Sequence, residues 1–480
     1  MENVILSRLP VMALCLCLFP GQLLADTTNT ILSYLEREQG KYAALAHEIW
    51  EKAELGYLET RSSRLLQEML AEEGFTIESG VAGMPTAFVA SYGSGEPIIG
   101  ILAEFDALPG ISQTASPKRE PDPDKTSGHA CGHHLFGAGS TAAAIAVRHW
   151  MQEHDVSGTV RLYGTPAEEG GSGKVYMVRE GLFAGVAAVL AWHPSDKNAA
   201  NPVTTLANKS AKFGFHGVSS HAAVAPERGR SALDAVEAMN HMANMMREHI
   251  PQEARMHYVI TRGGSTPNVV PDFAEVFYYL RHPDAGTLED LWERLLDVAR
   301  GAALGTGTEM VSEVNHGNHS MLPNETLAEA MYNNLVRVGG VKYDDDDLAF
   351  ASELAQSLNS REDDLALAAV RIEPMGPLQS MGSTDVGDVS WQVPTSQVNT
   401  ATWVPGTAPH TWQAIAAGGT AIGHKGMLVA AKTLALTAGD LFLHPALLDA
   451  AKEELEQRRG KDFEYQPLLG DRDPPLDYRR

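Results

Sequence analysis

The sequence predicts an α/β protein: a domain with a mostly parallel central sheet flanked by helices, interrupted by a smaller inserted α+β unit. Three observations carry this. The segments 97–105 (PIIGILAEF), 159–164 (TVRLYG) and 187–192 (AAVLAW) are short apolar runs of strand length, each ending in polar residues. An alanine-rich helical stretch, 138–150, separates the first run from the second, the strand–helix alternation of a parallel sheet. From about Asn208 the rhythm changes, with strands expected at 212–217, 256–260 and 274–280 and helices at 230–249 and 287–302. The expected division is 1–25 as a signal segment, 27–207 and 321–480 as the two parts of the larger domain, and 208–320 as the insertion.

The other elements follow in order. A sparse positive start (Arg8) precedes the apolar stretch 9–24, which Pro20 and Gly21 break and which is too short to span a membrane. With Ala25 as a cleavage position it reads as an export signal. Its removal would take Cys15 and Cys17 with it and leave Cys131 as a lone thiol, a liability in an exported chain unless something occupies it. Residues 27–78 show helical spacing of Tyr34, Leu35, Tyr42, Leu45 and Ile49, and again of Leu65, Leu66, Met69 and Leu70. Residues 111–127 read as loop, 344–347 (four aspartates) as a solvated turn, 381–385 and 405–413 as loops, and His316 and His319 as loop residues. A helix starts at Lys425, and the charged, proline-rich tail from Asp471 is expected to fray. At 480 residues the chain is long enough for two domains, and its net charge of −24 argues against binding nucleic acid or an anionic membrane.

The chemistry concentrates just past the three strands, the edge where open α/β sheets bind ligands. After the first comes 128–137 (GHACGHHLFG), with Cys131 and His133 among glycines; after the second, Glu168 and Glu169; after the third, His193. A later histidine, His410 or His424, adds another donor. Sulfur, nitrogen and oxygen donors in this mixture suit a transition metal. Five to six of them exceed what one tetrahedral zinc needs, whereas two ions about 3.5–4 Å apart would use them all. Adjacent glutamates offer one metal ligand and one free base. Asp106 is expected to orient a histidine rather than bind metal.

HACGHH, TPAEEGGSGK, WHP, SSHAAVAPERGRSALDAV and GGSTPNVVPDFAEVFYYLR together resemble the aminoacylase/carboxypeptidase-type co-catalytic metallopeptidases, in the amidohydrolase branch that includes hippurate and auxin-conjugate hydrolases. CGHHLFG, STDVGDVSW, APHTWQ and GHKGM are similar to the branch that hydrolyses aminobenzoyl-glutamate. The resemblance covers nearly the whole chain after the signal. It implies a ferredoxin-like lid and dimerisation domain for the insertion, and two divalent metal ions per subunit, zinc or manganese. Cys131 would bridge them, with His133, Glu169, His193 and His410 as further ligands and Glu168 as general base. His221 would reach the partner's site and hold the oxyanion, in a homodimer, while Asn268 and Arg281 would contact substrate. The family usually has Asp where this chain has His134, and other branches have His at the place of Glu104.

The expected activity is metal-dependent hydrolysis of an amide in an N-acyl or aryl-acyl amino acid, by an exported, periplasmic or secreted enzyme. The substrate is a small molecule, with no nucleic acid partner and no membrane span. The alternatives are a dipeptidase of the same mechanism, a thiol hydrolase using Cys131, and a non-catalytic binding protein on the same fold.

Overall fold

The structure is a computed structural model describing residues 20–359 and 363–479; the expected signal segment lies, up to residue 19, outside the described residues. The strands that frame it are β1 (Thr76–Ser79), β2 (Phe88–Ser94), β3 (Ile98–Ala103), β4 (Gly158–Gly164), β5 (Ala188–Ser195), β6 (Ala207–His216), β7 (Arg255–Arg262), β8 (Phe273–His282), β9 (Glu309–Asn318) and β10 (Thr395–Ala401). The helices are α1 (Pro20–Lys52), α2 (Thr60–Glu72), α3 (His133–His154), α4 (Gly173–Arg179), α5 (Ala232–Met246), α6 (Ala285–Thr306), α7 (Glu325–Val338) and α8 (Ala421–Leu443).

The central sheet has the order β1-β2-β4-β3-β5-β10. Strands β4, β3, β5 and β10 run parallel, and β2 is antiparallel to both of its neighbours. The parallel strands therefore present their C-terminal ends along one edge. Strand β3 is continuously apolar because it is central, with Ile99, Ile101, Leu102 and Ala103 all buried. Helix α3 packs on β3, β4 and β5 and against α1 and α8. Helix α8 is long and apolar enough to cross a membrane, but 72% of its apolar window is buried inside the fold, against α1, α3 and α7.

Strand β10 escapes an apolar-run reading because it is TSQVNTA, yet Thr395, Ser396, Val398, Thr400 and Ala401 are buried against β5, α7 and α8. Strand β2 was likewise not legible as a separate strand. Helix α3 begins five residues before the expected start, so His133 and His134 lie in its first turn. His193 lies inside β5, not past it.

The smaller sheet is fully antiparallel, in the order β7-β8-β6-β9, with α5 and α6 packed on it. The succession β-α-β-β-α-β in this order is the ferredoxin-like arrangement. Burial along β8 alternates strictly: Ala274, Val276, Tyr278, Leu280 and His282 are buried, and Tyr279 and Arg281 share the opposite face. That face turns Arg281 toward the 381–385 loop, where its Nη1 donates to Ser383 Oγ at 3.4 Å.

Three loop readings are corrected. His316 is a buried strand residue of β9, with Nδ1 2.6 Å from Ser172 Oγ. Asp344 to Asp347 is a capping box opening the helix Asp345–Leu354, and Lys425 pairs with both Asp344 and Asp347. The tail does not fray. Leu468 and Leu469 are buried, Arg179 Nη1 donates to the Arg472 carbonyl at 2.6 Å, and the Tyr478 ring meets Tyr57 edge-on.

Candidate active site

Sheet order and loop geometry bring the candidates together. Strand β3 runs into Glu104 and Asp106, the chain after β4 into Glu168 and Glu169, and β5 ends through His193, all on one edge. Cys131 sits two residues ahead of α3, and His133 is that helix's first residue. Between them Gly132 has φ +79°, and a Cβ there would lie 2.6 Å from Pro194 Cβ. Only glycine lets the backbone turn this tightly against the His193-Pro194 segment. His410 comes from the loop after β10, held by its N–H on the Ala130 carbonyl at 2.9 Å.

Two groups of three donors result, each with its atoms within 4.8 Å of one another: Cys131, His133 and His193, and Cys131, Glu169 and His410. Cys131 belongs to both. Its Sγ is 3.4 Å from His193 Nε2, and His410 Nε2 is 3.4 Å from Glu169 Oε1. His133 Nε2 is buried 3.1 Å from Glu104 Oε2, and Glu169 Oε1 is buried beside His410. Soft sulfur, imidazole and carboxylate donors, gathered within 4.8 Å in two groups that both contain Cys131, fit a pair of divalent cations. His424 is elsewhere: it faces His47 from α8, with ring centroids 6.4 Å apart.

Glu104, His133 and Glu168 form a third close group. Here Glu104 Oε1 is 2.6 Å from Lys174 Nζ, so this carboxylate is already neutralised by a buried ammonium. Lys174 Nζ also meets Asp385 Oδ1 at 2.7 Å, and all three side chains are buried. Glu168 lies beside this network. Burial first, then Glu104, Glu169 and Asp385, raise its carboxyl well above the usual range. Burial also raises Asp385, to about 6, against the pull of Lys174.

Asp106 ties the site together. Its Oδ1 accepts from His133 Nδ1 at 2.9 Å and its Oδ2 from the Glu169 N–H at 2.9 Å. This fixes the His133 tautomer and turns Nε2 to the other side, toward the Cys131 cluster and Glu104 Oε2 at 3.1 Å. Burial would raise the Asp106 carboxyl, but His133 and Lys174 outweigh it and hold Asp106 below the usual range. Asp106→Asn should weaken metal affinity by about 10–100-fold; a competition titration with a chromophoric chelator measures it. Lys174→Met should destabilise the fold by about 3–5 kcal/mol, because two buried carboxylates lose their shared partner. Denaturant unfolding reads this directly.

The remaining candidates divide. Arg281 reaches the site from β8, and Glu168 is among the charges acting on it. His221 and Asn268 stay with each other beside the smaller sheet. His221 bridges to Val269, and the Asn268 carbonyl accepts from Ala222 N–H at 3.0 Å. His221 is exposed, and its Nδ1 accepts from the Ala223 and Val224 N–H groups, which leaves Nε2 facing outward. Among the described residues its ring bonds only its own loop. His129 and His134 are structural, donating to the Ile49 and Gly418 carbonyls at 3.2 and 3.0 Å.

Sequence reasoning passed over Glu59, Lys174 and Asp385. Glu59 Oε1 accepts from the N–H of Ala167, whose φ is +57°, and so props the turn before Glu168. Nothing local marks Glu59. Lys174 and Asp385 stand inside the motifs TPAEEGGSGK and STDVGDVSW, and a search for an opposite-charge pair between those motifs could have found them.

Comparison with known proteins agrees with this geometry. The peptidase dimerisation domain family matches residues 203–306. One of the subunits of the p-aminobenzoyl-glutamate hydrolase of Escherichia coli (strain K12) is 40% identical over 449 residues, spanning 88% of this chain and 93% of that protein. The Xaa-Arg dipeptidase of Mus musculus is 32% identical, over 87% of this chain and 89% of that one. Among solved structures, a dinuclear metal-binding M20 peptidase of Bacillus subtilis aligns with a TM-score of 0.56 at 19% identity, covering 85% of this chain and 99% of that one. The aminobenzoyl-glutamate utilization protein of Klebsiella pneumoniae aligns with 0.59 at 19%, covering 85% and 97%. At that identity the structures speak for the fold, while the 40% relative, spanned almost end to end, decides the lineage: the chain belongs to the M20 family of metal-dependent peptidases and amidohydrolases.

Proposed function

We propose that this enzyme hydrolyses the amide bond between an acyl or aryl-acyl group and an amino acid, with aminobenzoyl-glutamate as the model substrate. One observation carries the reading: two donor triads share Cys131, with Glu168 in neither of them and grouped instead with His133 and Glu104. Cys131, His133 and His193 would hold one divalent ion, and Cys131, Glu169 and His410 the other. Such a pair, zinc or manganese, would supply Lewis-acid polarisation of the carbonyl and a more acidic water, with a pKa toward about 7. Glu168 takes the proton from the attacking water and hands it to the departing amine nitrogen as the C–N bond breaks. Arg281 offers its planar fork to the substrate carboxylate.

The domain division 27–207, 208–320 and 321–480 belongs to this reading. So does a homodimer, in which His221 and Asn268 serve the partner's site; their distance from their own cluster in sequence and in bonding supports it. Export rests on Arg8 and the apolar 9–24 stretch. A Cys131 nucleophile is disfavoured by its surroundings, because Cys131 belongs to two groups of metal-type donors, with His133 and His193 and with Glu169 and His410.

The test assays aminobenzoyl-glutamate, a panel of N-acyl amino acids and a set of Xaa-Arg dipeptides, before and after verified chelation. Loss of activity on chelation and its return with Mn²⁺ or Zn²⁺ are expected, with aminobenzoyl-glutamate leading the panel. Preference for the dipeptides would favour the dipeptidase alternative, which the 32% relative supports. Full activity in metal-free protein would overturn the mechanism.

A further inference from the structure

The tail enters the site. From Leu468 and Leu469, packed near Gly317 of β9, it crosses α4, where Arg179 holds the Arg472 carbonyl and Tyr176 Oη the Asp473 carbonyl at 3.4 Å. It ends against the turn that carries Glu168 and Glu169. Tyr478 Oη and Arg479 Nη2 both donate to the Glu169 carbonyl, and the Arg479 guanidinium lies 4.8 Å over the Tyr478 ring.

Three side chains surround Gly170. A Cβ on it would lie 3.6 Å from Arg479 Nη2, 3.8 Å from Tyr279 Oη and 3.9 Å from the Tyr478 ring. Arg281, two residues from Tyr279 on the same strand face, lies 5.6 Å over the Tyr279 ring. Tyr279 thus stands between the two cations, its ring under Arg281 and its Oη beside Gly170 next to Arg479. Each guanidinium uses one Nη on the protein, toward Ser383 Oγ and the Glu169 carbonyl respectively, and each keeps a buried Nε with no partner. Buried N–H donors without acceptors are costly, and a carboxylate satisfies a guanidinium edge best.

We propose that Arg479, carried into the site by the tail, forms with Arg281 a two-guanidinium subsite that takes a dicarboxylic amino acid. One carboxylate of the substrate meets Arg281 and the second meets Arg479, so an acidic side chain is selected over its neutral isostere. This rests on the hydrolase reading above for the site's orientation, and Arg281 alone would serve any amino acid.

The test uses the full chain with metal as purified, and L-glutamate and L-glutamine as probes, which differ by one charge at nearly constant shape. Calorimetry and thermal shift give the affinity ratio for wild type, Arg479→Ala and Arg479→Lys. Glutamate should bind better by about 10–100-fold in wild type, the worth of a charge-assisted contact. Arg479→Ala should erase most of that preference and Arg479→Lys part of it. Equal loss of both probes in Arg479→Ala would overturn the subsite and leave Arg479 as a prop of the Glu169 turn; so would a wild type that does not discriminate. If the wild type prefers glutamate through Arg479 yet cleaves no amide in the panel, the subsite stands and the hydrolase reading falls.

Discussion

Glu168→Gln should keep its metals and lose about 10²–10⁴-fold in kcat, the usual worth of a positioned general base. That is about 2.7–5.4 kcal/mol of the barrier at 1.36 kcal/mol per decade. The separation of the two effects is the informative part. Glu168 is in neither triad built on Cys131, and its neighbours are Glu104, His133 and the Lys174–Asp385 pair. Glutamine keeps the shape and removes only the proton acceptor. Metal content by elemental analysis should therefore match wild type while turnover collapses. Glu169→Gln should behave in the opposite way, losing metal first, since the charge that faces His410 is gone. Unchanged turnover in Glu168→Gln would reject the base assignment and favour a binding protein on a hydrolase fold.

How far the sequence could be read follows from what each residue shows locally. The three strand ends that carry Asp106, Glu168–Glu169 and His193 were legible because an apolar run followed by polar cargo is a local pattern. The smaller sheet was legible for the same reason: β8 alternates residue by residue. Strand β10 was hidden because its burial comes from β5, α7 and α8, not from its own apolarity. The choice between His410 and His424 needed the chain's path after β10, which no spacing rule encodes. Lys174 shows the same limit more sharply. A lysine two residues after Ser172 reads as a surface helix start, whereas the fold buries it between Glu104 and Asp385. The tail reversed its expectation because Tyr478 and Arg479 find partners in the Glu169 turn, far away in sequence.

Cys131→Ala should empty the site. It is the one residue common to both triads, so its loss takes a donor from each at once, whereas removing His193 or His410 takes one from a single triad. Metal content should fall from about two per chain toward zero, in the way that losing a bridging ligand dismantles a two-metal site. Activity should fall with it and should not return on adding Zn²⁺ or Mn²⁺ at levels that restore wild type. Serine is no substitute, because a hydroxyl is far harder to deprotonate than a thiol and is a harder donor. The same variant separates the metal mechanism from thiol catalysis. A nucleophilic cysteine would leave metal content at the wild-type value when mutated, and chelation would not affect the parent enzyme. Stability gives a third reading: in wild type the metals should raise Tm through their preference for the folded chain, and Cys131→Ala should lose that metal-dependent increment while keeping the metal-free Tm close to the parent's.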